Sequence, residues 1–345
     1  MNESSLHNYQ RHSVDHITEH PACGLFLGLG LGKTVSTLTA IDKLMNDHLE
    51  FSKVLVIAPK KAAEDTWKAE IEKWEHLKHL KISVVLGTEK QRLLALKAKA
   101  DIFIINRENV AWLVAHYGGA FPFECLVIDE LSSFKNAKSI RFKALRTIRP
   151  KIKRVIGLTG TPAPNGLLDL WPQLYLLDQG ERLGKNLTGY RQKYFDPGKR
   201  NGHIIYEYNL KKDNGGPSIY EKQIYEQIGD ICISMKAKDY LELPARIDRL
   251  KEVHLSEENM KRYNEFEKNL ILSMGEVEDI SVLNAAGLTN KLRQFANGAV
   301  YDADKKWHEV HDEKLEALAE DMEAANGQPV LVFYQYQHDL ERILH

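Results

Sequence analysis

The sequence predicts an α/β fold, a doubly wound and mostly parallel sheet followed by a largely helical insertion. Three observations predict it. Short runs rich in β-branched residues recur between Gly24 and Thr159 and alternate with helical patterns. These runs are nearly continuously apolar, as strands buried on both faces are. The first of them runs straight into a glycine-rich loop and a helical repeat, the order in which open parallel sheets present phosphate-binding loops.

Taken in order, Gly24 to Leu27 is the first strand, Gly28-Leu29-Gly30-Leu31-Gly32-Lys33-Thr34 the loop, and Val35 to Leu44 the helix after it. Lys53 to Ala58, Ile82 to Leu86, Ile102 to Asn106, Leu126 to Asp129 and Arg154 to Thr159 supply further strands. Helices Ala62 to Trp74 and Ser139 to Ile148 lie between them, and the domain is expected to span 1–171. Residues 172–300 then read as a mainly helical insertion. It holds Gly, Asn and Lys clusters, a small hairpin arm at His203 to Tyr208, and helices from Ser256 to about Ser273 and from about Ser281 to Phe295. In 301–345 an α/β pattern restarts, with helix Glu313 to Ala325, strand Val330 to Tyr334 and a segment from Gln337 onward. One helix and one strand cannot close a domain, so this reads as the incomplete opening of a second one.

Bulk properties narrow the function. Net charge is −1, so any nucleic-acid surface must be a local patch. The three cysteines form no C-x-x-C pair, and the fourteen histidines show no metal-ligand spacing, which argues against disulfides and zinc. The first ten residues are polar, unlike a signal peptide, and no apolar run reaches the ~20 residues of a membrane span.

Three constellations carry chemistry. In the loop, glycines let backbone N–H groups converge on phosphate oxygens, and the new helix adds its positive end. Lys33 would reach the β- and γ-phosphates and the Thr34 hydroxyl would ligate magnesium. The general pattern wants glycine where Leu27 stands. The second constellation, Val127-Ile128-Asp129-Glu130, ends a buried strand. A strand-end acid pair can simply cap the next helix. Beside Lys33-Thr34 we assign Asp129 to the metal and Glu130 to the base that activates water. The third is Leu158-Thr159-Gly160-Thr161-Pro162 with Asn165, at the same carboxyl edge, where hydroxyls suit a sensor of nucleotide state. A basic stretch adds a fourth feature. No acid occurs between Glu130 and Asp169, while nine cations from Lys135 to Arg154 do. Ile140, Ala144, Leu145 and Ile148 would bury one face of its helix and leave the cations outward.

These residues resemble the SWI/SNF-type ATPases, DNA translocases of helicase superfamily two. The resemblance is carried by Gly-Leu-Gly-Lys-Thr, the spacing Ala58-Pro59 to Trp67 to Trp74, Asp129-Glu130 followed by Phe134-Lys135-Asn136, and Leu-Thr-Gly-Thr-Pro-x-x-Asn. It runs from Leu6 to Trp171 and resumes more weakly at Leu243-Pro244, Lys291 to Gln294 and Lys314-Leu315. It implies RecA-like lobes, ATP and Mg2+ as cofactors, and a cofactor site formed by Gln10, Leu27, Gly28, Leu29, Gly30, Leu31, Gly32, Lys33 and Thr34, with Gln10 reading adenine. Such a family tolerates Leu27. Thr159, Gly160 and Thr161 would couple the nucleotide to DNA. Lys60, Lys61, Asn106, Arg107 and Asn165 would touch the DNA backbone, which gives affinity without sequence reading. Ser132 departs from the histidine usual there, which puts the link between the acid pair and Thr159–Thr161 in question.

The expected function is therefore an ATP-dependent motor moving on double-stranded DNA, a monomer in the cytoplasm of a bacterial or phage-infected cell, with no membrane partner. The resemblance places the arginine fingers beyond residue 345, so this chain is expected to bind ATP and hydrolyse it slowly. A strand-separating helicase or restriction-type motor, and a nucleotide-dependent DNA clamp without turnover, are the alternatives.

Overall fold

In the computed structural model the described residues are 1–345 except 202–203, 206, 213–217, 242–246, 275–281 and 326. The chain divides into two compact units, Met1–Pro244 and Ala245–His345.

The first unit opens with α1 (Asn8–Glu19), β1 (Ala22–Leu27) and α2 (Lys33–Asp42). Then come β2 (Val54–Ala58), α3 (Trp67–Lys73), β3 (Ile82–Val85), α4 (Glu89–Leu96), β4 (Ile102–Asn106) and α5 (Val110–Tyr117). β5 (Cys125–Asp129), α6 (Ile140–Ile148), β6 (Arg154–Thr159) and α7 (Leu170–Asp178) complete the expected alternation. The sheet does not stop there. After α8 (Leu187–Tyr194), β7 (Phe195–Pro197), β8 (Arg200–Asn201), β9 (Ile204–Ile205), β10 (Tyr208–Leu210) and α9 (Ile219–Ile228), strand β11 (Cys232–Met235) returns to it. The order is β11-β1-β6-β5-β2-β4-β3 and every pairing is parallel.

The continuous apolar runs have the cause the sequence suggested. Leu55, Ile57, Phe103 and Ile105 point to one face with α5 and α6, whereas Val54, Val56, Ile102 and Ile104 point to the other with α1 and α2. Successive side chains along a strand point to opposite faces and both faces are covered, so no polar position is needed.

Three expectations change here. The sheet's last strand lies well past Trp171: Gly24 is in register with Cys232, where a Cβ on Gly24 would come within 2.8 Å of the Cys232 Sγ. The hairpin arm is two short ladders, β8 with β9 and β10 with β7; His203 and Tyr206 lie outside the described residues, as do Leu243-Pro244 and Ser281. On α6 the buried residues are Phe142, Leu145 and Ile148, while Ile140 is 77% exposed. Ile140 is the first residue of the helix.

The second unit contains α10 (Glu257–Met274), α11 (Val282–Ala296), the hairpin of β12 (Ala299–Tyr301) and β13 (Trp307–Glu309), α12 (Glu313–Ala324) and α13 (Gln337–Leu344). Ser256 caps α10 as expected, its Oγ accepting from the Asn259 N–H at 3.3 Å. Val330 to Tyr334 was expected as a strand. It pairs with no strand among the described residues, and Leu331 and Phe333 are 79% and 86% exposed. An extended apolar run needs a ladder neighbour to become a strand.

Candidate functional site

Parallel topology puts every strand's carboxyl end on one edge, where ligands of open α/β sheets bind. β1, β6 and β5 are adjacent there, so their loops meet: Gly28 to Gly32, Gly160 to Asn165, and Asp129-Glu130.

The loop turns through Gly30 and Gly32, at φ 82° and 71°, a region that costs an L-residue about 1–2 kcal/mol. Gly32 is doubly required, since a Cβ there would overlap the Gln10 amide. Leu27 and Leu31 are fully buried, so they hold the loop by their side chains and can offer a ligand only backbone; Leu29 is 83% exposed. Lys33 opens α2, and its Nζ donates to the carbonyls of Leu27 at 2.8 Å and Gly28 at 3.3 Å. Burial lowers its pKa, and Asp129 and Glu130 oppose that shift. Thr34 follows it in the first turn of α2, half-buried.

Gln10 is 6% exposed and its side chain is oriented by its own helix. The His7 N–H donates to Gln10 Oε1 at 2.9 Å, a capping box that closes the start of α1. The amide nitrogen is thereby turned toward Gly32. Beside it lies a cleft of about 360 Å³ lined by Tyr9, Gln10, Gly30, Gly32, Glu70 and Trp74, among others.

Asp129 and Glu130 leave β5 together and are held differently. Asp129 Oδ2 accepts from the Trp67 Nε1–H at 3.1 Å. Burial raises its pKa, and the Trp67 hydrogen bond acts against burial. Glu130 sits at φ 56°, the left-handed region, where the strand ends. Its Oε1 accepts two hydroxyls, Ser132 Oγ at 2.5 Å and Thr159 Oγ1 at 3.1 Å. Thr159 Oγ1 in turn accepts from the Thr161 N–H at 3.2 Å. The link that the Ser132 departure put in question therefore exists, and it passes through Glu130 itself. Gly160 lies 3.4 Å, from an ideal Cβ position, off the Leu27 carbonyl that holds Lys33.

The remaining candidates sit farther along the edge, on β2 and β4. Lys60 and Lys61 are exposed, Lys60 with Glu64 at 3.8 Å. Arg107 is half-buried, with its Nε on Glu108 Oε1 at 2.9 Å. Asn165, after β6, is exposed and donates its N–H to Asp169 at 3.1 Å. Asn106 does not present its side chain: it is 8% exposed, donating to Glu108 at 2.8 Å and accepting from Asn109 at 2.6 Å. In the basic stretch, Arg149 and Arg154 are also withdrawn. Both are buried, Arg149 on the carbonyls of Leu176, Leu177 and Ile152, Arg154 on Glu50 and the carbonyls closing α1.

The SNF2-related domain family model matches residues 9–299. This chain belongs to that family. The SNF2-related chain is 36% identical to protein p41 of Acyrthosiphon pisum secondary endosymbiont phage 1, over 97% of itself and 73% of p41. It is 27% identical to an uncharacterized ATP-dependent helicase of Mycoplasma genitalium over 96% of itself, and spans 30% of that protein. With the chromatin remodeling factor mit1 of Schizosaccharomyces pombe it shares 32% identity over 47% of its length and 12% of mit1. In fold it is similar to the Sulfolobus solfataricus SWI2/SNF2 ATPase core solved in complex with dsDNA. The TM-score is 0.57 at 22% identity, covering 99% of this chain and 69% of that one.

Two residues that hold the candidate site of this SNF2-related chain were not singled out as such by the sequence. There Trp67 marks only a spacing, although it holds Asp129. Ser132 marks only a departure, although it holds Glu130. Both partners could have been sought by asking what satisfies a strand-end acid once it is buried.

Among the described residues no helix is long and apolar enough to cross a membrane, and no cluster of three or more His, Cys, Asp or Glu could hold a metal. A divalent ion shared between one carboxylate, one hydroxyl and a nucleotide is not such a cluster.

Proposed function

We propose that this protein is an ATP-driven motor that moves on double-stranded DNA. The observation that carries the proposal is the meeting at one sheet edge of Lys33, Asp129 and Glu130, with Thr159 bonded to Glu130. ATP fits the residues present. Lys33 donates only to loop carbonyls, the loop glycines leave room for phosphate oxygens, and the Gln10 cleft adjoins them with an oriented amide for adenine. Mg2+ fits too: Asp129, fixed by Trp67, and Thr34 would hold it, and the ion supplies neutralising charge for the β- and γ-phosphates.

In this reading Lys33 exchanges the carbonyls of Leu27 and Gly28 for the phosphates, whose charge compensates an ammonium that burial disfavours. Glu130 takes the proton of the attacking water. Both hydroxyls occupy Oε1, so Oε2 is the oxygen left for water. A shift of Thr159 changes the position of Glu130 directly, which supplies coupling between the base and the Gly160 to Asn165 loop. Lys60, Lys61, Arg107 and Asn165 contact DNA phosphates.

The test is ATP hydrolysis with and without duplex DNA, with Lys33→Ala as control. Stimulation by duplex that disappears in Lys33→Ala supports the proposal. Turnover that Lys33→Ala leaves intact would remove the loop from it.

A further inference from the structure

The segment 185–212 holds seven lysines and arginines against the two acids Asp196 and Glu207, in a chain of net charge −1. Within it α8 and the β7–β10 ladder enclose a cleft of about 390 Å³. Arg191 belongs to this cleft. Its guanidinium lies 4.5 Å from the centroid of the Tyr208 ring. Its Nε is buried and has no hydrogen-bond partner. That buried nitrogen is out of a ligand's reach, whereas the two Nη groups are not among the buried unpaired atoms and are the donors a cleft ligand would meet. Stacking on Tyr208 holds the guanidinium plane and leaves the paired Nη groups for a ligand.

The neighbours say which ligand. Lys211 also lines the cleft, but its Nζ donates to the carbonyls of Gln192 at 2.8 Å and Lys193 at 3.1 Å, so it adds positive field rather than a free donor. Asp196 is the one carboxylate lining the cleft, and it is exposed. Lys193, Lys199 and Lys212 continue the positive charge outside the cleft and are exposed. A forked guanidinium in a shallow site, with further cations spaced beyond it, matches a polymer of phosphodiesters better than a single small anion.

Two bonds tie the cleft's surroundings to the segment that follows the Gly160 to Asn165 loop. Tyr190, the residue before Arg191, is buried, and its hydroxyl donates to the Leu167 carbonyl at 2.8 Å. The Trp171 Nε1–H donates to the Gly184 carbonyl at 2.9 Å. These bonds root α8 in the segment that follows Asn165.

We propose that the Arg191 cleft is a second DNA-backbone contact, distinct from the loops at the sheet edge, with Arg191 gripping one phosphate. The proposal rests on the reading of the protein as a DNA motor. Fluorescence anisotropy of a labelled DNA duplex, titrated with the 345-residue protein at several salt concentrations, tests it. Arg191→Ala is expected to weaken binding roughly 5- to 10-fold near 0.1 M salt and to flatten the log affinity against log salt slope by about one unit. Arg191→Lys keeps the charge but not the fork, and is expected to retain the slope with intermediate affinity. Binding of a fluorescent ATP analogue in the same samples reports an intact fold. A wild-type protein that binds duplex while Arg191→Ala matches it in affinity and slope overturns this inference alone. A wild-type protein that does not bind duplex overturns the motor reading and this inference with it.

Discussion

Trp67→Phe isolates the hydrogen bond that holds Asp129. Trp67 is fully buried, and its ring N–H reaches Asp129 Oδ2 at 3.1 Å across 62 residues of chain. Phenylalanine keeps most of the apolar bulk and removes the donor. A hydrogen bond to a charged group is worth about 1.5–3 kcal/mol, which corresponds to roughly 10- to 150-fold in an equilibrium that needs the carboxylate ionised and in place. Orienting partners of metal ligands typically cost 10–100-fold in metal affinity when removed, in agreement with that range. The lost volume costs about 1–3 kcal/mol of fold stability, less than truncation to alanine. The assay is fluorescent ATP-analogue binding titrated with Mg2+ at pH 7.5. Trp67→Phe is expected to raise the Mg2+ concentration needed by one to two decades while leaving Mg2+-free binding unchanged. The defect should deepen at lower pH, because the N–H favours the ionised form of a carboxyl whose pKa burial already raises. A folded Trp67→Phe protein with the wild-type Mg2+ requirement at pH 7.5 and at about pH 6 would show that the Trp67 N–H does not hold Asp129 for the metal.

Other outcomes follow from the same structure. Asp129→Asn is expected to raise the melting temperature at pH 7–8. Because the folded-state pKa of Asp129 lies above its unfolded value, its ionisation destabilises the fold, and the gain should vanish as pH falls to about 4, where the unfolded carboxyl also protonates. Thermal unfolding across pH 4–8 checks it. Arg154→Ala leaves Glu50 and the carbonyls of Ile17, His20 and Thr18 without their donor, and should cost about 3–5 kcal/mol by denaturant unfolding. The Cys23 thiol is pushed up to about 12 by burial, and Cys125 and Cys232 are likewise buried and raised. None of the three should react with a thiol reagent at pH 8 until the protein unfolds.

The sheet was legible because two-sided burial writes itself into consecutive residues: Val54–Ala58 and Ile102–Asn106 read as strands with no help from context. β11 was not. Cys232–Met235 is four residues long with only its two end residues buried, and only its pairing with β1 makes it a strand. Periodicity placed α6 correctly but misjudged its inner face, because Ile140 lies on the first turn and Phe142 takes the buried position instead. The site shows the same division. Gly32, Lys33, Asp129, Glu130 and Thr159 were legible as types at strand ends, where topology alone brings them together. What orients them was not legible, since Trp67 with Asp129 and Thr159 with Glu130 are pairs made by tertiary approach. Charge counting failed for Arg149 and Arg154 because a cation in a basic run looks the same whether it faces solvent or ties carbonyls together.

The most direct test of the central claim is single-turnover hydrolysis of radiolabelled ATP by wild-type protein and Glu130→Gln, each with saturating duplex DNA. ATP is expected to bind both, with duplex-dependent hydrolysis slower in Glu130→Gln by roughly 10²–10⁴-fold, the range of a general base. Equal single-turnover rates for the two proteins would contradict that role of Glu130.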